Sequence, residues 1–121
     1  MDQKAFHMTL LFDFYGDLLT ERQREFYDLY HNEDLSLAEI AENAGITRQG
    51  VRDVLVRAEG TLEELEEKTG IVRRFLVVRS GLQTIQEAAE RIQTLNHGMF
   101  NSAELETLVQ TIQDTVTTLK E

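Results

Sequence analysis

No proline interrupts any of the 121 residues, so no position forces a backbone donor out of a helical ladder. Glycine is held to seven residues, most of them between periodic segments. A β-rich chain needs turn residues at short, regular intervals, and this one lacks them, so the expected fold is all-α. Hydrophobic residues make up 41% of the chain, enough for a core and too many for a disordered segment. The length fits a single domain, residues 1–121.

Helix boundaries are written in the sequence as caps. Residues 4–19 are apolar on nearly every side, with Phe6, Leu10, Leu11, Phe12, Phe14 and Leu18 among them, and predict a helix buried by more than one neighbour. Thr20 with Gln23 is a capping box that opens a second helix, whose Phe26, Leu29 and Tyr30 share a face. Ser36 with Glu39 is another capping box, and Leu35 and Ile40 are spaced as a hydrophobic staple. Gly45 ends that short helix by supplying a left-handed residue, and Thr47 caps the next one.

The stretch from Leu37 to Arg57 is the most specific in the chain. Ile40, Ala44, Ile46, Val51 and Val54 fill the angle between two helices, while Ala41 is small where they cross. This is a helix-turn-helix pattern, within 36–58. On its second helix Thr47, Arg48, Gln49, Arg52 and Arg57 are left for solvent. Arginine and glutamine at the N-terminal end of such a helix are the residue types that reach phosphates and base edges in a major groove. Asp53 on the same surface opposes phosphate. The net charge of −10 does so more broadly, which confines any polyanion contact to a local surface.

Beyond this motif the second helix is expected to continue to about Lys68, with Gly60-Thr61 a potential break because Thr61 and Glu64 have capping-box spacing. Glu59, Glu63, Glu64, Glu66 and Glu67 read as a solvated acidic face. From Ile71 onward, Phe75, Val78, Leu82, Ile85, Ala89 and Ile92 step by four and three, a heptad seam that serves a dimer or a bundle. Asn96 is the next seam position and Gly98 the expected helix end. Asn101 with Glu104 reads as a further cap. A last helix then sets Leu105, Leu108, Ile112, Val116 and Leu119 on one face. A helical hairpin is therefore expected within 71–119, with a homodimer as the expected assembly.

Catalytic patterns are missing. Cysteine is absent, which excludes disulfides and thiol chemistry, and His7, His31 and His97 lack ligand spacing. Neither a phosphate-cradling glycine loop nor a nucleophile elbow is present. The chain is read as a non-enzyme with no metal and no cofactor. Its start, Met1-Asp2-Gln3-Lys4, lacks the layout of a signal peptide, and no apolar run approaches a membrane span, so the expected location is cytoplasmic.

The segment from Leu19 to Phe26 with the motif from Leu35 to Arg57 resembles region four of bacterial sigma factors. Over roughly residues 5–98 the chain is more similar to the YlxM family of small bacterial proteins. Leu11-Phe12-Asp13-Phe14-Tyr15-Gly16-Asp17-Leu18-Leu19, Thr20-Glu21-Arg22-Gln23 and Ile46-Thr47-Arg48-Gln49-Gly50-Val51-Arg52-Asp53 carry that resemblance. It implies a sigma-region-four-like helix-turn-helix protein of Gram-positive-type bacteria, encoded beside the signal recognition particle GTPase. It further implies a regulatory role with DNA or with signal recognition particle components. The alternative is a protein-interaction adaptor of the targeting machinery that keeps the helix-turn-helix only as a scaffold.

Overall fold

The computed structural model describes residues 3–121, and every regular element among them is a helix. In order these are α1 (Gln3–Tyr15) with a 3-10 turn (Gly16–Leu18), α2 (Glu21–His31), α3 (Leu37–Ala44), α4 (Arg48–Thr69), α5 (Ile71–Leu95) with a π turn (Asn96–Phe100), and α6 (Ala103–Lys120). The fold is all-α, as composition requires. Contacts gather the chain into two compact units, one ending at Val72 and one running from Arg73 to Glu121.

In the first unit α4 is the central rod on which α1, α2 and α3 all pack. Its buried residues Val51, Leu55, Ala58 and Leu62 recur in steps of four and three, one continuous stripe. That continuity decides the question at Gly60. The helix runs unbroken for 22 residues, and Thr61 does not cap a new one. Gly60 faces solvent with nothing within 4 Å of where a Cβ would stand. Gly60→Ala should therefore stabilise the protein by about 0.5–1 kcal/mol, read as a higher urea midpoint at unchanged m-value.

Two capping boxes are formed as the sequence predicts. Thr20 Oγ1 accepts from Gln23 N at 3.2 Å while Gln23 Oε1 accepts from Thr20 N at 3.1 Å. Ser36 and Glu39 make the same reciprocal pair, both bonds at 3.1 Å. Gly45 takes φ 71°, ψ 32°, the left-handed conformation that turns the chain from α3 into α4.

The N-terminal region departs from expectation. α1 ends at Tyr15 rather than near residue 19, and it buries one stripe, Met8, Leu11 and Tyr15, instead of most of its circumference. Phe6 and Phe14 are 47% and 40% exposed, because they lie off the buried stripe of α1, and Leu18 in the 3-10 turn is 66% exposed. On α2 the inward tyrosine is Tyr27, not Tyr30. Tyr27 packs on the Phe12 ring at 4.7 Å between centroids and donates from its hydroxyl to the Met8 carbonyl at 3.4 Å. Burial, with Glu59 and Glu63 adding to it, pushes the Tyr27 phenol up to about 12.

A polar knot ties the end of α4 to Tyr15 and to Val72. The Tyr15 hydroxyl donates to Glu66 Oε1 at 2.7 Å and hydrogen-bonds Thr69 Oγ1, and the same Glu66 oxygen accepts from Val72 N at 3.0 Å. Gly70, at φ 64°, makes the turn itself.

The second unit is an α5–α6 hairpin whose interior differs from the expected seam. Leu82 and Ala89 are buried and Phe75 is half-buried, but Val78, Ile85 and Ile92 stand 44%, 48% and 41% exposed. On α6 the inward residues are Val109 and Val116, while Leu108, Ile112 and Leu119 face out. Leu95 and Leu105 are half-buried as well, and polar side chains take other inner positions. Gln93 Nε2 donates to Glu106 Oε1 at 3.0 Å, and Gln113 Nε2 donates to Gln93 Oε1 at 3.4 Å. Lys120 Nζ reaches Gln83 and Gln86 at 2.7 and 2.8 Å.

Asn96 is buried as a seam residue and spans the turn. Its amide donates to the Ser102 carbonyl at 2.9 Å and accepts from Ser102 N at 2.8 Å. This clasp moves the cap of α6 from Asn101 to Ser102, whose Oγ accepts from Leu105 N at 3.1 Å. The left-handed residue that ends the π turn is Asn101, φ 47°, rather than Gly98.

Candidate nucleic-acid interface

The helix-turn-helix angle is filled from three sides. Ile40 and Val51 are fully buried and Ala41 nearly so, with Leu37, Ala44, Ile46 and Val54 half-buried around them. Gly50 also belongs to this corner. A Cβ there would lie 3.3 Å from Thr47 Oγ1 and 3.4 Å from Ile46 Cδ1, so the small residue lets the turn close on the helix. This packing fixes which side of α4 points outward.

Thr47, Arg48, Gln49, Arg52 and Arg57 are all exposed, as the sequence predicts. Their individual circumstances differ. Thr47 is the cap of α4, and its Oγ1 accepts from Gly50 N at 3.0 Å. Its hydroxyl oxygen is therefore already engaged in holding the helix end. Gln49 Nε2 donates to Asp53 Oδ1 at 2.9 Å, so the acid on this surface orients the glutamine amide. Among the described residues, Arg48, Arg52 and Arg57 form no ion pair.

Helical geometry sorts these positions around the rod. At about 100° per residue, Arg48 and Arg52 lie on one flank, Gln49 in the middle, and Asp53 and Arg57 on the other flank. Val56 falls in the middle beside Gln49, and it is 56% exposed. Sequence reading had no place for Val56. Its signal is an apolar residue off the buried stripe, between Leu55 and Arg57. Leu37 of α3, with Thr47, Arg48, Gln49 and Arg52, lines an open hollow at the start of α4.

The charge order along α4 runs against the helix dipole. A helix N-terminus prefers acidic residues and its C-terminus basic ones. Here the first turn contains no acid and begins with Arg48, whereas Glu59, Glu63, Glu64, Glu66 and Glu67 populate the last three turns, offset by Lys68 alone. Lys68 pairs with Glu64 at 2.9 Å, a hydrogen bond that holds the Glu64 carboxyl below its usual range. The arrangement disfavours the isolated helix. An anion placed at the N-terminal end would relieve it.

Among the described residues no group of three or more acids or histidines could hold a metal ion, and no helix is long and apolar enough to cross a membrane. A family model described as "Putative helix-turn-helix protein, YlxM / p13 like" matches residues 2–102. The chain belongs to this family, UPF0122. Among its relatives, the UPF0122 protein of Thermoanaerobacter sp. (strain X514) is 48% identical over 93 residues, covering 77% of this chain and 80% of the relative. That of Desulforamulus reducens is 59% identical over 73 residues, 60% of this chain and 62% of the relative. That of Halalkalibacterium halodurans is 42% identical over 108 residues, 89% of this chain and 99% of the relative. The UPF0122 match takes in the helix-turn-helix and all of α5 but stops at residue 102, before α6.

Proposed function

We propose that this chain is a DNA-binding helix-turn-helix protein that reads duplex DNA through the exposed face of α4. The observation that carries the reading is the set of three guanidiniums, Arg48, Arg52 and Arg57, held unpaired on the outward side of a helix whose charge order opposes its own dipole. Arg48 and Arg52 contact phosphate or guanine edges, Gln49 meets adenine, and Val56 offers an apolar contact to a thymine methyl. Thr47 contributes by fixing the helix end. A local contact of this size suits a regulatory protein in the cytoplasm.

Fluorescence anisotropy with mixed-sequence duplex DNA tests the reading. At low salt the expected dissociation constant is micromolar, with log affinity falling linearly in log salt with a slope of about −2 to −3, one increment per arginine engaged. Absence of micromolar binding to any duplex at low salt would overturn it.

A second reading is favoured by the acidic half of α4 and the net charge of −10. In it the chain is an adaptor of the targeting machinery, and a basic surface of a signal recognition particle component docks on Glu59, Glu63 and Glu67. The resemblance to YlxM proteins supports that link, and direct titration of the purified particle GTPase against this protein tests it. The homodimer expected from the heptad residues fits either reading. Two copies would present two helix-turn-helices, as a two-fold DNA site requires.

A further inference from the structure

The α5–α6 hairpin is built inside out. From Arg73 to Glu121 the buried apolar residues are Leu82, Ala89, Val109 and Val116, with Phe75, Leu95 and Leu105 half-buried, and glutamine and asparagine with their partners share the inner seam. Six further apolar side chains stand outside, Val78, Ile85 and Ile92 on α5 and Leu108, Ile112 and Leu119 on α6. On α5 they repeat every seven residues, three positions beyond the inward stripe of Phe75, Leu82 and Ala89. On α6, Leu105, Ile112 and Leu119 keep the same offset from Ser102, Val109 and Val116, with Leu108 beside them. Because the helices run antiparallel with equal offsets, both stripes come to the same side of the hairpin. A shared depression lined by Phe75, Val78, Arg79, Leu82, Leu119 and Lys120 shows the stripes adjoining at the open end.

We propose that this side is covered by the same side of a second copy, completing a four-helix bundle. The proposal rests on the two-copy reading above and assigns it a face, one that includes α6 residues outside the family match. Two properties favour a second copy over another partner. The six side chains expose on the order of 500 Å² of apolar surface per copy, so two copies bring together about 1,000 Å², the lower bound of a specific interface. The face also matches itself, since both helices present a stripe of one period and one offset. Charge borders the face only at its open end, where Arg79 and Lys120 stand beside Val78 and Leu119, in a chain of which 28% is charged. An apolar centre with bases only at one end leaves two strongly acidic copies a side free of acids by which to meet. Their mutual repulsion elsewhere is screened by salt, so the dimer tightens as ionic strength rises, opposite to DNA binding.

Sedimentation velocity on the full chain, between 5 and about 100 micromolar and at two salt concentrations, tests the proposal at ordinary protein–protein affinities. The expected mass is twice the 13.9 kDa of one chain. Ile85→Glu and Ile112→Glu should each return it to a single chain with helicity retained, whereas Glu87→Lys, on the opposite side of α5, should leave it unchanged. Should the glutamate variants lose helicity, Ile112→Ala is expected to weaken the dissociation constant at least tenfold while folding normally. A monomeric wild type overturns both the two-copy reading and this face, as it does if the chain's own helix-turn-helix unit covers the stripes. A dimer indifferent to Ile85→Glu, Ile112→Glu and Ile112→Ala keeps the two-copy reading and overturns the face. Arg48→Ala should not move the mass, so loss of DNA binding and loss of the dimer are read separately.

Discussion

Ile40→Ala should destabilise the protein by about 3–4 kcal/mol, measured as a fall in the urea midpoint. Ile40 is fully buried at the crossing of α3 and α4, with Ala41 and Val51 against it. Removing its outer carbons loses their transfer free energy and leaves a cavity. Collapse into that cavity is resisted on one side by the Ser36–Glu39 capping box and on the other by the left-handed turn at Gly45. A small domain holds only about 5–15 kcal/mol in total, so this one change removes a large share of it. A loss under about 1 kcal/mol would mean that the angle between α3 and α4 is not filled as described.

The double replacement Arg48→Ala and Arg52→Ala has the larger functional effect. DNA affinity should fall about 30- to 100-fold at moderate salt, and the salt slope should become shallower by about two. The stability change should have the opposite sign. Both arginines are exposed and sit at the dipole-positive end of α4, so their loss favours the folded helix by a few tenths of a kcal/mol. Weaker binding with equal or greater stability separates a surface kept for a ligand from one kept for folding. Arg48→Lys with Arg52→Lys should retain the salt slope and lose sequence preference, because lysine keeps the charge but not the bidentate fork. Unchanged affinity in the alanine variant would remove these two residues from the interface.

Local chemistry was legible where one residue type answers one geometric demand. Thr20 with Gln23, Ser36 with Glu39, Thr47 and Gly45 each satisfy backbone groups within four residues, and the structure uses every one of them. Outcomes that depend on distant partners were not legible. Whether Tyr27 or Tyr30 turns inward depends on where α1 places Phe12 and Met8. The cap at Ser102 in place of Asn101 depends on the amide of Asn96 reaching across the turn. The period of seven along α5 was plain in the sequence, but not which of its two stripes faces α6, since glutamine pairs took inner positions that a binary pattern assigns to isoleucine. For the interface, the arginines and Gln49 stood out by type. Val56 did not, because an exposed valine is common and gains meaning only from the residues beside it.

If duplex DNA lies on α4 as proposed, the unbroken length of that helix limits how it can do so. Arg48 and Arg57 are nine residues apart, about 13–14 Å along the axis at 1.5 Å per residue. Two residues later the glutamates begin, and they continue to the end of the rod. A duplex laid along the axis would span roughly four base pairs before it reached the glutamates, with Asp53 the one acid inside that span, given about 3.4 Å per step. The same polarity acts at a distance. An approaching polyanion pulls one end of the helix and pushes the other, turning the protein end-on before any contact forms. On the proposed DNA-binding reading, footprint and docking direction would both be set by one helix, through where its positive charge stops.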